Sequence, residues 1–401
     1  MRAALQAAGY STPTPIQAGT IAPALAGHDL VGAAQTGTGK TAAFIIPVVE
    51  RLHAARRGGE YGCALVLAPT RELAEQTHGW AQRLGCGLPT ALVVGGVAYG
   101  PQISALRRRP AIIVATPGRL VDHLERRTLA LAQVRILVLD EADRMLDMGF
   151  RPQLDRIMQT LPVPRQTLLF SATLPPDLGA IARMHLRSPV RVEAGRQALP
   201  PQRATQDVYL VAHENKTPLL LSLIGQNAGN VLVFARTKHR TDRLARSIRN
   251  AGHAVERLHA DRSQSQRREA LAGFRSGRYR ILVATDIAAR GIDVAGIGRV
   301  INYDLPQTAE DYVHRVGRTA RAEADGHASS FAAPEERAQL HAIERHLGRA
   351  LPRQAHADAC TPTAAAPPRF KEVHHGQERA VAPIRSRAVG YDSRYRRARQ
   401  G

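Results

Sequence analysis

The sequence predicts an α/β protein with two tandem domains, each built on a parallel sheet with helices on both faces, followed by a disordered basic C-terminal tail. Three observations lead to this prediction. Short apolar runs that end in polar or glycine-rich turns alternate with helical patterns, as in parallel sheets. A polar stretch interrupts the alternation, and 401 residues exceed one ordinary domain. We assign residues 1–195 and 207–352 to the domains, 196–206 to a linker and 353–401 to the tail.

The first domain contains six apolar runs with the length of strands. Each ends in a turn, and a helical pattern separates it from the next run. Because folds of this class bind ligands at the carboxyl ends of their strands, we expect functional side chains directly after these runs. The runs lie at 29–33, 65–68, 91–94, 112–115, 136–140 and 167–170.

A loop rich in glycine and threonine follows the first run. Its glycines let backbone amides point at phosphate oxygens, Lys40 supplies positive charge, and the Thr41 hydroxyl suits Mg²⁺. The usual first glycine of such a loop is Ala34 here, and a generic glycine-rich loop is the alternative. The strand before it and a helix predicted to begin near Thr41 favour a nucleotide phosphate site. The loop comprises Ala34, Gln35, Thr36, Gly37, Thr38, Gly39, Lys40 and Thr41.

An acidic pair ends the fifth run. A carboxylate at the end of a strand binds Mg²⁺ through water, and the next glutamate orients and deprotonates an attacking water. Asp140 is therefore the candidate metal residue and Glu141 the candidate base. Alone, such a pair is more often the N-terminal cap of a helix. Together with the phosphate loop, it predicts nucleotide hydrolysis.

The linker is predicted from the loss of periodicity between about Gly195 and Gln206, and from the adjacent Pro200 and Pro201. The alternation of strands and helices then resumes, which predicts a second α/β domain. Its strand-like runs lie at 208–211, 231–235, 281–284 and 300–303.

A helix-like segment from His314 to Arg321, late in the second domain, places three arginines within two turns. Arginine supplied by a facing domain stabilises the charge on a γ-phosphate during phosphoryl transfer. The alternative is an ordinary solvated basic face, which the segment taken alone favours.

The charge of the chain predicts a polyanionic partner. Lysine and arginine number 55 against 34 aspartates and glutamates, which gives a net charge of +21 and a pI near 11.0. Nucleic acid is the first candidate, and a solvated basic surface or an anionic membrane surface are the alternatives. Residues 367–401 carry nine basic and three acidic side chains, so the rest of the chain, with 46 and 31, is itself basic. The tail's alanine, proline and arginine composition predicts disorder.

The remaining composition predicts a cytoplasmic protein without a membrane segment. No stretch of about 20 apolar residues is present, and the first fifteen residues lack the apolar core of a secretory signal. Cys63, Cys86 and Cys360 are too widely spaced for a paired metal motif or a disulfide framework. We expect all three to be reduced thiols.

Taken in order, these motifs resemble those of DEAD-box RNA helicases of superfamily 2, over residues from about 9 to 350. The acidic pair opens Asp140-Glu141-Ala142-Asp143, the family's motif II, while the phosphate loop matches motif I and the arginine segment motif VI. Ala320 stands in motif VI where glycine is common, a change that we expect to be tolerated. The other matches are the Q motif at 9–17, motif Ia at 69–74, motif Ib at 116–119, motif III at 171–173, motif IV at 233–237 and motif V at 284–293.

The resemblance implies two RecA-like domains that close over ATP and RNA. Tyr10 would stack on adenine, Gln17 would bond the edge of the base, and Asp293 would reach the ribose. The residues implied in catalysis are Lys40, Asp140, Glu141, Arg318 and Arg321, with Thr41 and Asp140 holding Mg²⁺ largely through water. The residues implied in coupling hydrolysis to domain closure are Asp143, Ser171, Thr173 and His314.

RNA is implied to cross both domains through backbone contacts with weak sequence preference. Gly95 and Gly96 form the glycine pair of the first domain, for which a plain turn is an equal alternative. On the first domain the contacts are Pro69, Thr70, Arg71, Gly95, Gly96, Thr116, Gly118 and Arg119. On the second they are Arg236, Gln264, Arg267, Thr285 and Gly291.

The implied function is that of an RNA-stimulated ATPase that separates short RNA duplexes or remodels RNA–protein complexes, with ATP as substrate and Mg²⁺ as cofactor. The basic tail resembles that of the bacterial RhlE-like subgroup and would tether the core to structured RNA. We therefore expect a monomer active in ribosome assembly or RNA turnover, with ribosomal precursors or the RNA-degradation machinery as partners. An RNA clamp with slow turnover and a DNA helicase of the same superfamily are the alternatives.

Overall fold

The computed structural model describes residues 1–34, 38–59, 62–194, 204–226, 229–289, 296–320 and 325–355. These residues form two sheets of seven strands, and every strand pair is parallel. Helices flank both sheets, which confirms the predicted fold class. The predicted tail beyond residue 355 and most of the predicted linker, 196–203, lie outside the described residues.

The first sheet has the strand order β3-β4-β2-β5-β6-β1-β7. Its strands are β1 Leu30–Ala34, β2 Cys63–Leu67, β3 Thr90–Val93, β4 Ile112–Ala115, β5 Val134–Leu139, β6 Gln166–Ser171 and β7 Val190–Ala194. The helices of this domain are α1 Arg2–Ala7, α2 Pro15–Leu25, α3 Lys40–Arg57, α4 Arg71–Leu84, α5 Tyr99–Arg107, α6 Pro117–Glu125, α7 Ala142–Asp147, α8 Arg151–Thr160 and α9 Pro176–His185.

The second sheet has the order β10-β11-β9-β12-β13-β8-β14. Its strands are β8 Ala204–Leu210, β9 Asn230–Phe234, β10 Val255–Leu258, β11 Ile281–Ala284, β12 Ile297–Asn302, β13 Gly326–Ala332 and β14 Arg353–Gln354. The helices are α10 Lys216–Gly225, α11 Lys238–Asn250, α12 Gln264–Arg275, α13 Asp286–Ala289, α14 Ala309–Val316 and α15 Arg337–Leu347. Counted from its own first strand, this order repeats that of the first sheet.

Each central strand buries side chains on both faces. In β2, Val66 belongs to one apolar cluster while Leu65 and Leu67 belong to another on the opposite face. In β9, Leu232 and Val233 divide between two clusters in the same way. Because successive side chains of a strand point to opposite faces, this burial explains why the runs read as continuously apolar rather than alternating.

All ten predicted strands are present, with ends shifted by a few residues. Four further strands, β7, β10, β13 and β14, were not predicted, because they lack a continuous apolar run. In β7 the charged Arg191 and Glu193 are exposed, and in β13 the buried positions include Ser329 and Ser330.

Two predicted boundaries need correction. Strand β8 begins at Ala204, so residues 204–206 of the predicted linker belong to the sheet, where they pair with β13. The start of β8 was not predicted because its residues are polar. Gln206, for example, is buried in the strand and accepts a hydrogen bond from the Tyr312 hydroxyl at 3.1 Å. At the other end, Arg353 and Gln354 of the predicted tail pair with β8 as strand β14.

Among the described residues, no helix has the length and apolarity that a bilayer crossing needs. Cys63 and Cys86 are free thiols, as predicted, and Cys360 lies outside the described residues.

Candidate functional site

The predicted site residues of the first domain gather at the carboxyl edge of its sheet, in two groups. The residues of motifs I, II and III follow β1, β5 and β6, which are neighbours in the strand order. The residues of motifs Ia and Ib and the glycine pair follow β2, β4 and β3, which are neighbours on the other side. Strand order therefore divides this edge into a motif I–II–III half and a motif Ia–Ib half.

The described part of the phosphate loop ends in the first turn of α3. Gly39 has φ +89°, a left-handed conformation that favours glycine, and no side chain caps the helix. Lys40 is buried at the first helical position, and its Nζ has no hydrogen-bond partner among the described residues. A buried ammonium at an uncapped helix N-terminus is poised for an anion. Gln35, Thr36 and Gly37 lie outside the described residues.

Gln17 ties helix α2 to this loop. Its Oε1 accepts a hydrogen bond from the Thr14 backbone N–H at 3.0 Å, and its Nε2 donates to the Gly39 carbonyl at 3.1 Å. The Thr14 hydroxyl also donates to the Thr38 carbonyl at 2.8 Å. An amide group has one further donor and one further acceptor site, so Gln17 keeps the capacity for a base edge.

Tyr10 precedes α2 and packs edge-on against Trp80, with 5.8 Å between ring centroids and 63° between ring planes. Its ring is partly buried against the apolar cluster that contains Ile16 and Phe44. Burial raises the pKa of its hydroxyl, an effect that Arg83 opposes.

Asp140 lies just beyond the end of β5 and is almost fully buried. Burial raises the pKa of its carboxyl to about 7, although the nearby Lys40 ammonium opposes the shift. A further positive charge close to it would therefore favour the carboxylate form.

Glu141 is a buried carboxylate in strained backbone. Its φ of +51° lies in the left-handed region, which is uncommon for a glutamate and typical of functional positions. Burial alone would raise its pKa, but the charges of Arg144, Lys40 and Arg318 outweigh burial and lower the pKa to about 2. Arg144 is itself buried, with Nε 3.4 Å from Glu141 Oε2. Glu141 is thus ionised at every physiological pH.

Asp143 joins motif II to motif III. Its Oδ2 accepts hydrogen bonds from the Ala172 N–H at 3.1 Å, the Thr173 N–H at 2.9 Å and the Thr173 hydroxyl at 3.0 Å. In return, Ser171 Oγ accepts from the Asp143 N–H at 3.3 Å. These four hydrogen bonds link the two segments directly.

The second domain faces motif II with a positive surface. His314 and Arg318 line a small cleft together with Arg144 of the first domain. Burial, then the charge of Arg144, lowers the pKa of His314 well below its usual range, so its imidazole is neutral. The positive field that lowers the pKa of Glu141 therefore includes an arginine of each domain.

The arginine segment is less helical than predicted. Helix α14 ends at Val316 because glycine follows at position 317, and Arg318 lies in the next turn. Arg315 is structural: its Nε and Nη2 lie 2.5 Å and 2.6 Å from the two carboxylate oxygens of Asp286. Asp293 and Arg321 lie outside the described residues.

In the motif Ia–Ib half, Arg71 packs against the glycine pair. Gly96 has φ +71°, and a side chain there would collide with the Arg71 guanidinium. Arg119 donates from Nη1 to the Val97 carbonyl at 2.8 Å, and its guanidinium carbon lies over the Tyr99 ring, 4.2 Å from the ring centroid. The glycine pair is thus both a turn and a close contact with arginine. Helices α4 and α6 begin beside it, at Arg71 and Pro117 after Thr70 and Thr116, so that positive helix ends meet there.

The matching residues of the second domain occupy the equivalent strand ends. Arg236, Gln264 and Thr285 follow β9, β10 and β11, which are neighbours in the strand order. Arg236 is exposed and pairs with Glu336 at 3.1 Å. Gly291 lies outside the described residues.

Helices α4 and α12 connect the two domains directly. Arg71 Nη1 lies 3.4 Å from Gln264 Oε1, and Arg267 Nη2 lies 2.8 Å from Glu72 Oε1. The Arg267–Glu72 contact is an ion pair by distance, with angles poor for a hydrogen bond. Arg71 of the first domain and Gln264 and Arg267 of the second therefore lie at a contact between the two domains.

Two functional positions escaped the sequence reasoning. Arg144 follows motif II and Glu72 lies inside motif Ia, but neither spacing nor residue type distinguishes them from surface charges. Their burial and their charged neighbours identify them, and both are three-dimensional properties.

Two family models match the chain. The DEAD/DEAH box helicase model covers residues 14–181, and the helicase conserved C-terminal domain model covers residues 215–323. Each match falls on one of the two sheets.

Named relatives agree with these matches. The chain is 43% identical over 382 residues to the DEAD-box ATP-dependent RNA helicase CshA of Geobacillus kaustophilus, covering 94% of this chain and 78% of the relative. It is 44% identical over 346 residues to the ATP-dependent rRNA helicase RRP3 of Yarrowia lipolytica, covering 85% and 72%.

Solved structures agree as well. Dbp5 of S. cerevisiae bound to RNA and ADP BeF3 superposes with a TM-score of 0.78 at 30% identity, covering 88% of this chain and 92% of Dbp5. Mss116p bound to single-stranded RNA and AMP-PNP gives a TM-score of 0.81 at 28% identity, covering 88% and 77%. The chain belongs to the family of DEAD-box ATP-dependent RNA helicases.

Proposed function

We propose that this RNA-dependent ATP hydrolase works by closing its two RecA-like domains, residues 1–195 and 207–352, over ATP and RNA. One observation supports this most strongly: the buried Glu141 carboxylate lies in a field to which Lys40 and Arg144 of one domain and Arg318 of the other contribute. Such a site is complete only when both domains contribute to it.

ATP binding is assigned to the motif I–II–III half. Gln17 bonds the adenine edge with the amide sites that remain unused, and Tyr10 packs against the base. The loop from Ala34 to Thr41 wraps the phosphates, and Lys40 neutralises the β and γ oxygens. Lys40 Nζ has no hydrogen-bond partner in the part of the chain that the structure describes, and no side chain caps the start of α3; both observations support this assignment. Asp293 is assigned to the ribose from the sequence alone.

The donor set fits Mg²⁺. Within the described residues no cluster of three or more metal-ligating side chains exists, as expected for a cation held chiefly by substrate phosphates and water. Burial raises the pKa of the Asp140 carboxyl to about 7, so a nearby cation would favour its ionised form. Asp140 and the Thr41 hydroxyl would hold the ion, which would neutralise charge on the phosphates.

For hydrolysis, Glu141 orients the attacking water and accepts its proton. Arg318 and Arg321 stabilise the charge that develops on the γ-phosphate. Arg318 is already within electrostatic reach of Glu141, and Arg321 is assigned from its place in the motif. The proposal for Asp143, Ser171 and Thr173, with His314, is that they transmit the loss of the γ-phosphate to the domain interface.

RNA binding is assigned to the motif Ia–Ib half of the first domain and to its counterpart on the second. The positive ends of α4 and α6, the glycine pair and Arg119 suit phosphate groups, which supports recognition of the RNA backbone. Because ATP and RNA both favour the closed state, each is expected to tighten the binding of the other. An RNA strand bent between the closed domains could no longer stay base-paired in a regular duplex.

For the cellular role, we propose ribosome assembly or RNA turnover in the cytoplasm, by a monomer. The names of the relatives, which include an rRNA helicase, support an RNA-processing role. The assignment to the RhlE-like subgroup rests on the basic residues 353–401 alone. Deletion of residues 367–401 is expected to weaken RNA affinity and to flatten its salt dependence while basal ATPase survives.

The decisive experiment compares ATP hydrolysis and strand separation on RNA and DNA duplexes of matched sequence. We expect RNA to stimulate turnover and DNA to fail. Glu141→Gln is the control for chemistry: it should retain ATP and RNA binding but lose turnover by a factor on the order of 10²–10⁴. Equal stimulation by both duplexes would refute RNA specificity, and parental turnover in the variant would remove Glu141 from the role of base.

A further inference from the structure

A second cleft opens in the first domain, at the edge of the sheet opposite the helicase site. It has a volume of about 700 Å³. Arg135, Gln166 and Arg187 lie at or before the starts of β5, β6 and β7, at the amino edge of the parallel sheet. Strands of five or six residues separate the two edges by roughly 16–20 Å. A ligand in this cleft would therefore leave the ATP and RNA sites free.

Four arginines line the cleft: Arg51, Arg135, Arg165 and Arg187. No acidic residue is among the described residues that line it. Within the described part of the chain, none of the four arginines forms an ion pair with a carboxylate. The cleft is therefore a concentrated positive site, and its four guanidinium groups have no direct carboxylate partner among the described residues.

Main-chain carbonyls hold three of these side chains in place. Arg51 donates from Nη1 to the Leu25 carbonyl at 3.0 Å, Arg165 to that of Pro162 at 2.7 Å, and Arg187 from Nη2 to that of Val163 at 2.7 Å. Carbonyl contacts orient a guanidinium without neutralising it. Donor groups also remain unused, because Nε of Arg51 and of Arg165 is buried without a partner among the described residues.

The Asp29 carboxylate lies close to Arg165 and Arg187. Both of its oxygens accept backbone hydrogen bonds, from Thr167 at 2.8 Å and from Arg187 at 2.6 Å. Burial lowers the pKa of Arg165, and the charge of Asp29, which opposes this shift, has a larger effect than that of Arg187 but does not cancel the effect of burial. An incoming anion would further stabilise the charged guanidinium.

The walls of the cleft are suited to more than a free anion. The cleft itself has an apolar part, which Leu52, Ala55, Ile136 and Pro164 line. Leu25 and Val163, whose carbonyls anchor two of the arginines, adjoin the cleft and are 41% and 73% exposed. Large apolar side chains exposed next to four cations suit a polypeptide with apolar and acidic side chains.

We propose that this cleft binds an acidic, partly apolar peptide segment of a partner protein. Carboxylates would pair with the arginine forks, and apolar side chains would cover Leu25 and Val163 beside the cleft. RNA is the less suitable occupant, because no aromatic side chain for base stacking is among the described lining residues. The partner would remain attached throughout the ATPase cycle.

The test measures fluorescence anisotropy with a short labelled peptide in which glutamates alternate with leucines. The parent protein should bind it, and the double variant Arg135→Glu, Arg187→Glu should lose at least about tenfold in affinity, since two charge-assisted contacts are reversed. The matched control, Arg243→Glu with Arg246→Glu, makes the same charge change at exposed positions of α11 and should change affinity less than about twofold. RNA-stimulated ATPase should survive in the cleft variant, which establishes that it folds.

Arginine footprinting with phenylglyoxal locates the bound peptide. We expect the peptide to protect the four cleft arginines, and single-stranded RNA to leave them reactive. The proposal is overturned if the peptide does not bind, if both double variants lose affinity equally, or if a glutamine-for-glutamate peptide binds as well. Protection of the cleft by RNA would replace the peptide with RNA as its occupant.

Discussion

Arg144 shows how a residue outside the recognised motifs tunes the site. Its guanidinium is 2% exposed, contacts Glu141 through Nε, and leaves both terminal nitrogens without hydrogen-bond partners among the described residues. Unsatisfied buried groups in native proteins call for a functional explanation. Among the charges that lower the pKa of Glu141, that of Arg144 has the largest effect. Arg144 therefore acts on the base electrostatically.

Replacing Arg144 with methionine should lower kcat for ATP by roughly 10-fold to 100-fold, because Glu141 loses the ion pair that orients its carboxylate. The KM for ATP should change little, since Arg144 lies outside the phosphate loop. Arg144→Lys keeps the charge and should recover part of kcat. Steady-state ATPase at saturating RNA measures both constants. A rise in KM with unchanged kcat would contradict this positioning role.

Ala320 has φ +54°, in the left-handed region that favours glycine. The family's preference for glycine in motif VI therefore has a backbone cause, which a single sequence does not reveal. Ala320→Gly should stabilise the protein by about 0.5–1 kcal/mol, the relief of strain minus the extra freedom of the unfolded chain.

Thermal or urea unfolding measures the Ala320→Gly effect. Ala342→Gly is the matched control, because Ala342 is exposed within helix α15 and should lose about 1 kcal/mol. Destabilisation by both changes would show that Ala320 is unstrained.

Helix α2 and the phosphate loop form one unit even without a nucleotide, because Gln17 and Thr14 bridge them. Gln17→Ala should therefore lower the stability of the nucleotide-free protein by about 1–3 kcal/mol, and also raise the KM for ATP. The exposed Gln6 of α1 provides the control, Gln6→Ala. If unfolding without ATP is unchanged by Gln17→Ala, Gln17 serves the nucleotide alone.

The strands with both faces buried are the ones that the sequence reveals most directly. Val66 and Val138 are fully buried, so β2 and β5 read as apolar runs of the right length. The edge strands β7 and β10 carry charge, and β13 buries serines, so hydropathy misses all three. Whether such a segment forms a strand depends on its pairing register and on the strands beside it, and both depend on contacts between distant parts of the chain.

The predictability of the site follows the same division. Lys40, Asp140 and Glu141 were predicted because phosphate chemistry requires particular residues next to a strand end. Arg144 and Glu72 were not, because their roles depend on burial and on a partner in the other domain. The sequence therefore identifies the chemical groups, while packing identifies the residues that adjust them.

The first sheet divides its carboxyl edge between the two ligands. Strands β3, β4 and β2 end at residues assigned to RNA, and the next three strands, β5, β6 and β1, end at residues assigned to ATP and to coupling. In the second sheet, β9, β10 and β11 end at residues assigned to RNA, while Arg318, which is assigned to ATP, follows helix α14. Each ligand is therefore assigned residues of both domains. Binding of either ligand then stabilises the same closed arrangement, which is the physical basis for coupling between RNA and ATP.

The Glu72–Arg267 pair tests this coupling, because it joins the domains from positions that are 7% and 11% exposed. Glu72→Gln leaves Arg267 buried without compensation in the closed state, a penalty on the order of 2–5 kcal/mol. Separated domains would expose Arg267 to water and avoid that penalty. We therefore expect RNA affinity with a non-hydrolysable ATP analogue to fall at least tenfold, while ATP binding without RNA is unchanged.

The neighbouring pair supplies the control, because Arg268 and Glu75 join the same helices with side chains 54% and 26% exposed. Exposed pairs contribute little, so Glu75→Gln should alter RNA affinity less than about twofold. Titration of labelled RNA, with and without the analogue, measures both variants. An equal loss in the two would show that overall charge governs RNA binding. No loss in either would mean that closure does not depend on the α4–α12 contact, and the coupling would then have to pass through His314 and Arg318 alone.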